Sequence, residues 1–190
     1  MTRIYDGTVS AVTHPIGFML IDLSELADVK PTQQCRLHIW SRSRERNDGL
    51  GYIHDHSWAL TSAVLLGELV DIDFTASSDP HGSYEFVRVT YGSESENFDK
   101  VGLYNLKVQR QRQLRAPVVY RLDAEVLHET DILSDAAVTL VIADRRESPT
   151  YKPLVVISDD NFISPADSRP AIPSEQAGSI IGSLLDTIRR

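Results

Sequence analysis

Two histidines two residues apart constrain this chain more than any other feature. They lie in Ile53-His54-Asp55-His56-Ser57-Trp58, and Leu65-Leu66-Gly67-Glu68-Leu69 follows. The neighbouring residues read as β-strand, and side chains two apart on a strand share a face. His54 and His56 therefore aim at one point, and neutral imidazole is the commonest protein metal ligand near neutral pH. A third histidine, His128, follows another apolar run, Val118-Val119-Tyr120-Arg121-Leu122. Histidines so distant in sequence can share one metal only if their strands curl together.

The rest of the chain supplies such strands. β-Branched and aromatic residues fill runs near 7–13, 17–21, 36–41, 51–60, 62–74, 84–91, 101–110, 117–122, 137–144 and 153–158. Turn residues such as Asp79-Pro80-His81-Gly82-Ser83 separate them. Many short strands with regular turns predict an all-β sandwich or barrel. Two segments read as helix. Asp22 to Asp28 predicts a short one, with Asp22 and Glu25 placed as a capping box. Ser174 to Arg190 carries Ile180, Ile181, Leu184, Leu185 and Ile188 at helical spacing, with Arg189 and Arg190 suited to the C-terminal end of the helix dipole. Prolines 165, 170 and 173 precede it. The expected organisation is a barrel over 1–165, then a linker and an outer helix over 166–190.

The two-residue period extends to the neighbours of the histidine pair. If His54 and His56 face inward, so do Tyr52 and Trp58, while Asp55 faces away and ties down a neighbouring strand. His38 and Trp40 share a face on the preceding strand, which makes His38 either an inward group beside the metal or a hydrogen-bonded core residue. His14, before Pro15, and His81, in a turn, read as surface residues. Cys35 sits before Leu37 and Ile39 and reads as a buried bystander; a lone cysteine allows no internal disulfide and suits a reducing compartment. The net charge is −8, which argues against nucleic-acid and anionic-membrane partners. The basic cluster Arg42-Ser43-Arg44-Glu45-Arg46 is the local exception, read as a solvated loop. Residues 1–6 lack the apolar core of a signal peptide and no run approaches a membrane span, so the expected location is cytoplasmic.

The sequence Gly51-x-Ile53-His54-Asp55-His56, followed about ten residues later by Gly67-Glu68-Leu69-x-Asp71, resembles the first motif of the cupin superfamily. Within it, the closest resemblance is to three-histidine thiol dioxygenases of the cysteine dioxygenase type. It covers roughly residues 35 to 145. It implies a double-stranded β-helix, or jelly-roll, barrel with His54, His56 and His128 as metal ligands. Many cupins add a glutamate after the second histidine, with three or four residues between; Leu60 and Thr61 stand there in this chain. Around His128 the superfamily's Pro-x-Gly is missing. Of the Ser-His-Tyr triad in cysteine dioxygenases only Thr139 matches, with Val141 and Ala143 at the other positions. The crosslinking cysteine of some members corresponds to Thr61.

The implied pocket residues are thus Tyr52, Trp58, Thr61, His38 and Thr139. The implied function is an iron(II) dioxygenase taking a small thiol or amino-acid-like metabolite and dioxygen, the missing triad pointing away from free cysteine. Zinc, nickel, manganese and copper fit the same ligands. A metal-dependent isomerase, cyclase or lyase and a non-catalytic ligand-binding barrel are the alternatives. The resemblance also allows a homodimer.

Overall fold

A computed structural model describes residues 11–14, 16–42, 50–91, 96–144, 151–157 and 170–188. Their strands are β1 (Ala11–His14), β2 (Phe18–Asp22), β3 (Gln33–Ser41), β4 (Leu50–His54), β5 (Ala59–Leu66), β6 (Glu68–Ser78), β7 (Tyr84–Tyr91), β8 (Glu96–Arg115), β9 (Val118–Leu122), β10 (Leu127–Ile132), β11 (Ala136–Asp144) and β12 (Leu154–Ile157). One helix follows, α1 (Ser174–Ile188).

The strands form two antiparallel sheets. The first has the order β1-β2-β3-β11-β5-β9; the second closes on itself as β10-β4-β12-β7-β8-β6. Between β3 and β6 the chain changes sheet at every strand, and it does so again between β9 and β11. This alternation is the path of the cupin-type jelly roll. The long β8 lets the second sheet curl into a ring, because it pairs with β6 along one part and β7 along another.

Strand alternation then sorts side chains into separate interiors. Ile53, Phe74 and Leu127 join Phe86 and Val156 in a core drawn from the ring strands. Their chain neighbours His54 and His128 line a cavity shared with the first sheet. On the first sheet, Phe18, Leu20, His38 and Trp40 line the same cavity. The intervening Met19, Ile21, Leu37 and Ile39 face the other way and pack against Ala177, Ile180 and Ile181 of α1. Those three helix positions fall on one stripe, which explains why the helix lies along the sheet. The chain reaches it through Pro170 and Ile172, which hydrogen-bond to Thr13 and Ala11 of β1.

Several elements differ from the sequence expectation. Residues 22–28 form turns, not a regular helix. Asp22 Oδ1 accepts from the Ser24 amide at 2.9 Å and its hydroxyl at 2.5 Å, so the cap closes a local turn. The run 51–60 is interrupted by irregular backbone at 55–58, and 62–74 divides at Gly67. β10 was not expected at all, because Glu129, Thr130 and Asp131 mask its alternation. The predicted strand residues 7–10, arginines 44, 46, 189 and 190, Pro165 and the side chains of Tyr52, Leu184, Leu185 and Ile188 lie outside the described residues. Cys35 is buried and free.

Gly67 makes the β5–β6 turn with φ of 77°, a region that favours glycine. A Cβ there would run into the Ala136 carbonyl oxygen and the Ser134 hydroxyl. Gly67→Ala should therefore destabilise the protein by about 2 kcal/mol or more. A urea midpoint equal to wild type would contradict this account.

Candidate metal centre

Each of the three histidines comes from a different local setting. His54 ends β4, His56 sits in the irregular backbone that follows, and His128 is the second residue of β10. β10 pairs with β4 so that His128 stands directly opposite His54. His56 is carried back to them because its carbonyl accepts from the Glu125 amide at 2.8 Å, tying the two loops together. The ring centroids lie 4.8 Å apart for His54–His56, 4.5 Å for His54–His128 and 5.2 Å for His56–His128. One ring nitrogen from each falls within 4.8 Å of the other two.

The protonation of the cluster suits a cation. Burial, then the neighbouring imidazoles His54 and His128, hold His56 well below the ordinary histidine range. Burial pushes His128 down to about 4. Its Nδ1 lies 3.1 Å from the Val126 carbonyl oxygen. A carbonyl only accepts, so Nδ1 carries the proton and Nε2 keeps its lone pair free for a ligand. Three converging nitrogen donors fit a divalent metal such as zinc or iron(II). No carboxylate belongs to the cluster among the described residues.

Asp55, between the two histidines, points away from them. It is 2% exposed. Its Oδ1 accepts from the Leu154 amide at 2.7 Å, and Tyr151 donates its hydroxyl to Oδ2. The Asp55 amide donates to the Leu154 carbonyl at 3.0 Å. The 54–56 turn is thus fastened to β12 on both sides of one residue.

The cavity in front of the cluster has a volume of about 90 Å³. Trp58 lines it, stacked on His56 at 5.2 Å, and so do His38 and Thr139. Thr61 does not: it is exposed on the outer face, while Leu60 beside it lines the cavity and Ser62 is buried. The two-residue period explains the difference. Tyr52 lies on β4, but its side chain is outside the described residues. His14, expected at the surface, lines the cavity instead and stacks on Phe18 at 4.3 Å. His81 is exposed, as expected from its turn. Five histidines, 14, 38, 54, 56 and 128, therefore line one cavity in a chain that has six.

The sequence reading missed a buried charged layer beside the cluster. Asp71, which lines the cavity, receives Arg112 Nε at 3.0 Å and also its Nη2, with the Thr130 hydroxyl at 3.2 Å. Arg110 Nε donates to Asp73 at 2.7 Å. Burial pushes the Asp71 carboxyl up, opposed by Arg112. Tyr120 completes this wall, with Arg112 5.2 Å from its ring centroid. Period-two spacing of Leu69, Asp71 and Asp73 was the available signal; it predicts one face but not the arginines opposite.

No protein-family model matches the sequence, and no curated protein matches it. Solved structures do resemble the fold. One, described as "Crystal structures of DMSP lyases RdDddP and RnDddQII", is 14% identical over 72% of this chain and 51% of its own, with a TM-score of 0.39. This chain thus spans about half the length of that one. KdgF from Halomonas sp. is 12% identical over 70% of this chain and 84% of its own, at a TM-score of 0.37. Hydroquinone 1,2-dioxygenase PnpCD, in complex with Cd2+ and 4-hydroxybenzonitrile, is 12% identical over 73% and 66%, at 0.33. Likeness at these levels assigns neither a substrate nor a reaction. No described helix is long and apolar enough to cross a membrane.

Removing the Asp55 carboxylate should loosen the 54–56 turn without deleting a ligand. Asp55→Ala is expected to weaken zinc affinity by roughly 10–100-fold, the usual effect of losing a group that positions ligands. Competition with a chromophoric chelator measures it, and unchanged affinity would contradict the positioning role.

The lowered histidines also set an acid response. Burial pushes His38 down to about 3 and His128 to about 4, and His56 lies well below 6.5. Their folded values fall below the unfolded value, so the unfolded chain binds more protons as pH drops from about 6.5. Stability of the metal-free protein should fall through that window, each histidine adding up to about 1.4 kcal/mol per pH unit. A urea midpoint that stays flat between pH 7 and 5 would refute this.

Proposed function

We propose that this protein is a metal-dependent oxygenase, an iron(II) three-histidine dioxygenase acting on a small thiol or amino-acid-like metabolite. The observation that carries the proposal is the composition and placement of the cluster: three imidazoles, no acidic ligand among the described residues, at the wall of a small cavity. Neutral ligands leave a divalent cation its full charge, which favours a substrate that binds as an anion such as a thiolate. When bound, iron(II) supplies open coordination positions for substrate and dioxygen together.

The chain's own residues would do the rest. His54, His56 and His128 would hold the metal, and Asp55 with Tyr151 would fix the turn that carries the first two. Trp58, Leu60, Leu122, Val141 and Ala143 give the cavity apolar walls that limit water around the reacting groups. The small volume supports a small metabolite. The proposed partners are that metabolite and dioxygen, and the net charge of −8 disfavours nucleic acid and anionic membranes.

A second reading rests on the same donors. Three histidines also suit zinc, which lowers the pKa of its bound water to about 7 and supports non-oxidative chemistry. Metal analysis of protein purified without a metal-binding tag, together with oxygen-uptake assays on small thiols, separates the two. The expected result is iron near one equivalent and thiol-dependent oxygen consumption, both lost in His54→Ala and in His128→Ala. Turnover that continues without oxygen would replace the dioxygenase with the non-oxidative enzyme. Full metal occupancy in both variants would sink the metal site itself.

A further inference from the structure

The first-sheet wall of the cavity that the histidine cluster lines contains an unsatisfied polar atom. On β3, Trp40 donates its indole N–H to the Thr139 hydroxyl at 3.3 Å, so these two buried groups satisfy each other. His38 lies two residues from Trp40 and directly opposite Thr139 in the β3–β11 register. Its Nε2 is buried and meets no hydrogen-bond partner among the described residues. The ring itself lines the cavity.

Packing holds that ring in place. His38 stacks on Phe18 at a centroid separation of 4.3 Å, and His14 stacks on Phe18 at the same distance. Trp40 meets His38 edge-on at 6.2 Å. The imidazole is therefore wedged among aromatic rings, where phenylalanine would fill similar space with no polar atom left over. Native structures keep few buried polar atoms without partners, because each one is destabilising. Burial, then Arg36, keeps the ring neutral near neutral pH. It can offer a hydrogen bond to a hydroxyl, carboxyl or amide, but not an ion pair.

We propose that His38 is a ligand-binding residue: its Nε2 hydrogen-bonds one end of a small molecule whose other end lies at His54, His56 and His128. This rests on the metal-site reading above and adds the shape of the substrate. One ordered water needs about 10–15 Å³ of such space, so a cavity of about 90 Å³ holds roughly six to nine. The ligand class is accordingly a compact bifunctional molecule, with a metal-binding head and a hydrogen-bonding tail a few bonds away.

The test uses zinc-loaded wild type, His38→Phe and His38→Gln. Zinc content, thermal midpoint, and calorimetric titration with L-cysteine and with 3-mercaptopropionate are measured on each. The expected result is equal zinc, a midpoint for His38→Phe at or above wild type, and affinity for at least one thiol reduced roughly ten-fold or more. His38→Gln, which keeps a hydrogen-bonding side chain, should lose less. If His38→Phe does not fold, His38→Gln with unchanged affinity for both thiols, or a wild type that holds zinc and binds neither compound, overturns the proposal. Unchanged affinity in a folded His38→Phe also overturns it and leaves His38 a core residue. Wild type that holds no zinc instead overturns the metal-site reading.

Discussion

The candidate centre depends on a single cross-strand pair, His128 opposite His54. β10 runs between β4 and β6, so its register is fixed from both sides. A slip of one residue would turn His128 into the core of the ring and put Leu127 in the cavity. The ionic layer resists that slip. Asp71 and Asp73 on β6 hold Arg112 and Arg110 on β8, and Thr130 on β10 donates to Asp71. The buried Asp71 carboxylate is paired with Arg112 and Thr130, while Asp73 is paired with the half-exposed Arg110, and a buried carboxylate so paired costs less than one left alone.

The two sheets divide the work around the cavity. The ring sheet brings the converging imidazoles, while the first sheet brings aromatic rings and a small polar row at His38 and Thr139. The same burial that shapes the cavity holds His38, His56 and His128 below the ordinary histidine range. A metal meeting His56 and His128 near neutral pH would not have to displace protons from them first. Packing and metal chemistry are therefore not independent properties of this fold.

Much of this was legible in the chain, for identifiable reasons. His54, His56 and the outward Asp55 follow from strand alternation, which survives even though the strand ends at His54. Trp58 and His38 fall on the expected face, and Thr139, expected only from the resemblance, also lines the cavity. Thr61, likewise expected from the resemblance, does not, because Leu60 takes the cavity side of β5. His14 was misplaced because Pro15 suggested a loop, whereas the β1–β2 hairpin folds the ring back onto Phe18. β10 was invisible because its outer positions are polar and its alternation is short. The arginine partners of Asp71 and Asp73 come from a strand some forty residues away, a distance over which local pattern carries no information.

The fastening of Asp55 to Tyr151 and Leu154 carries a consequence for biosynthesis. The first two histidines emerge from the ribosome early, but the strand that clamps their turn is made about a hundred residues later. Strand pairs so far apart in sequence form late in folding. A nascent chain arrested before β12 would expose His54 and His56 on an untethered turn, unable to grip an ion firmly. Any ion held by these histidines would therefore find a fastened turn only after β12 has paired.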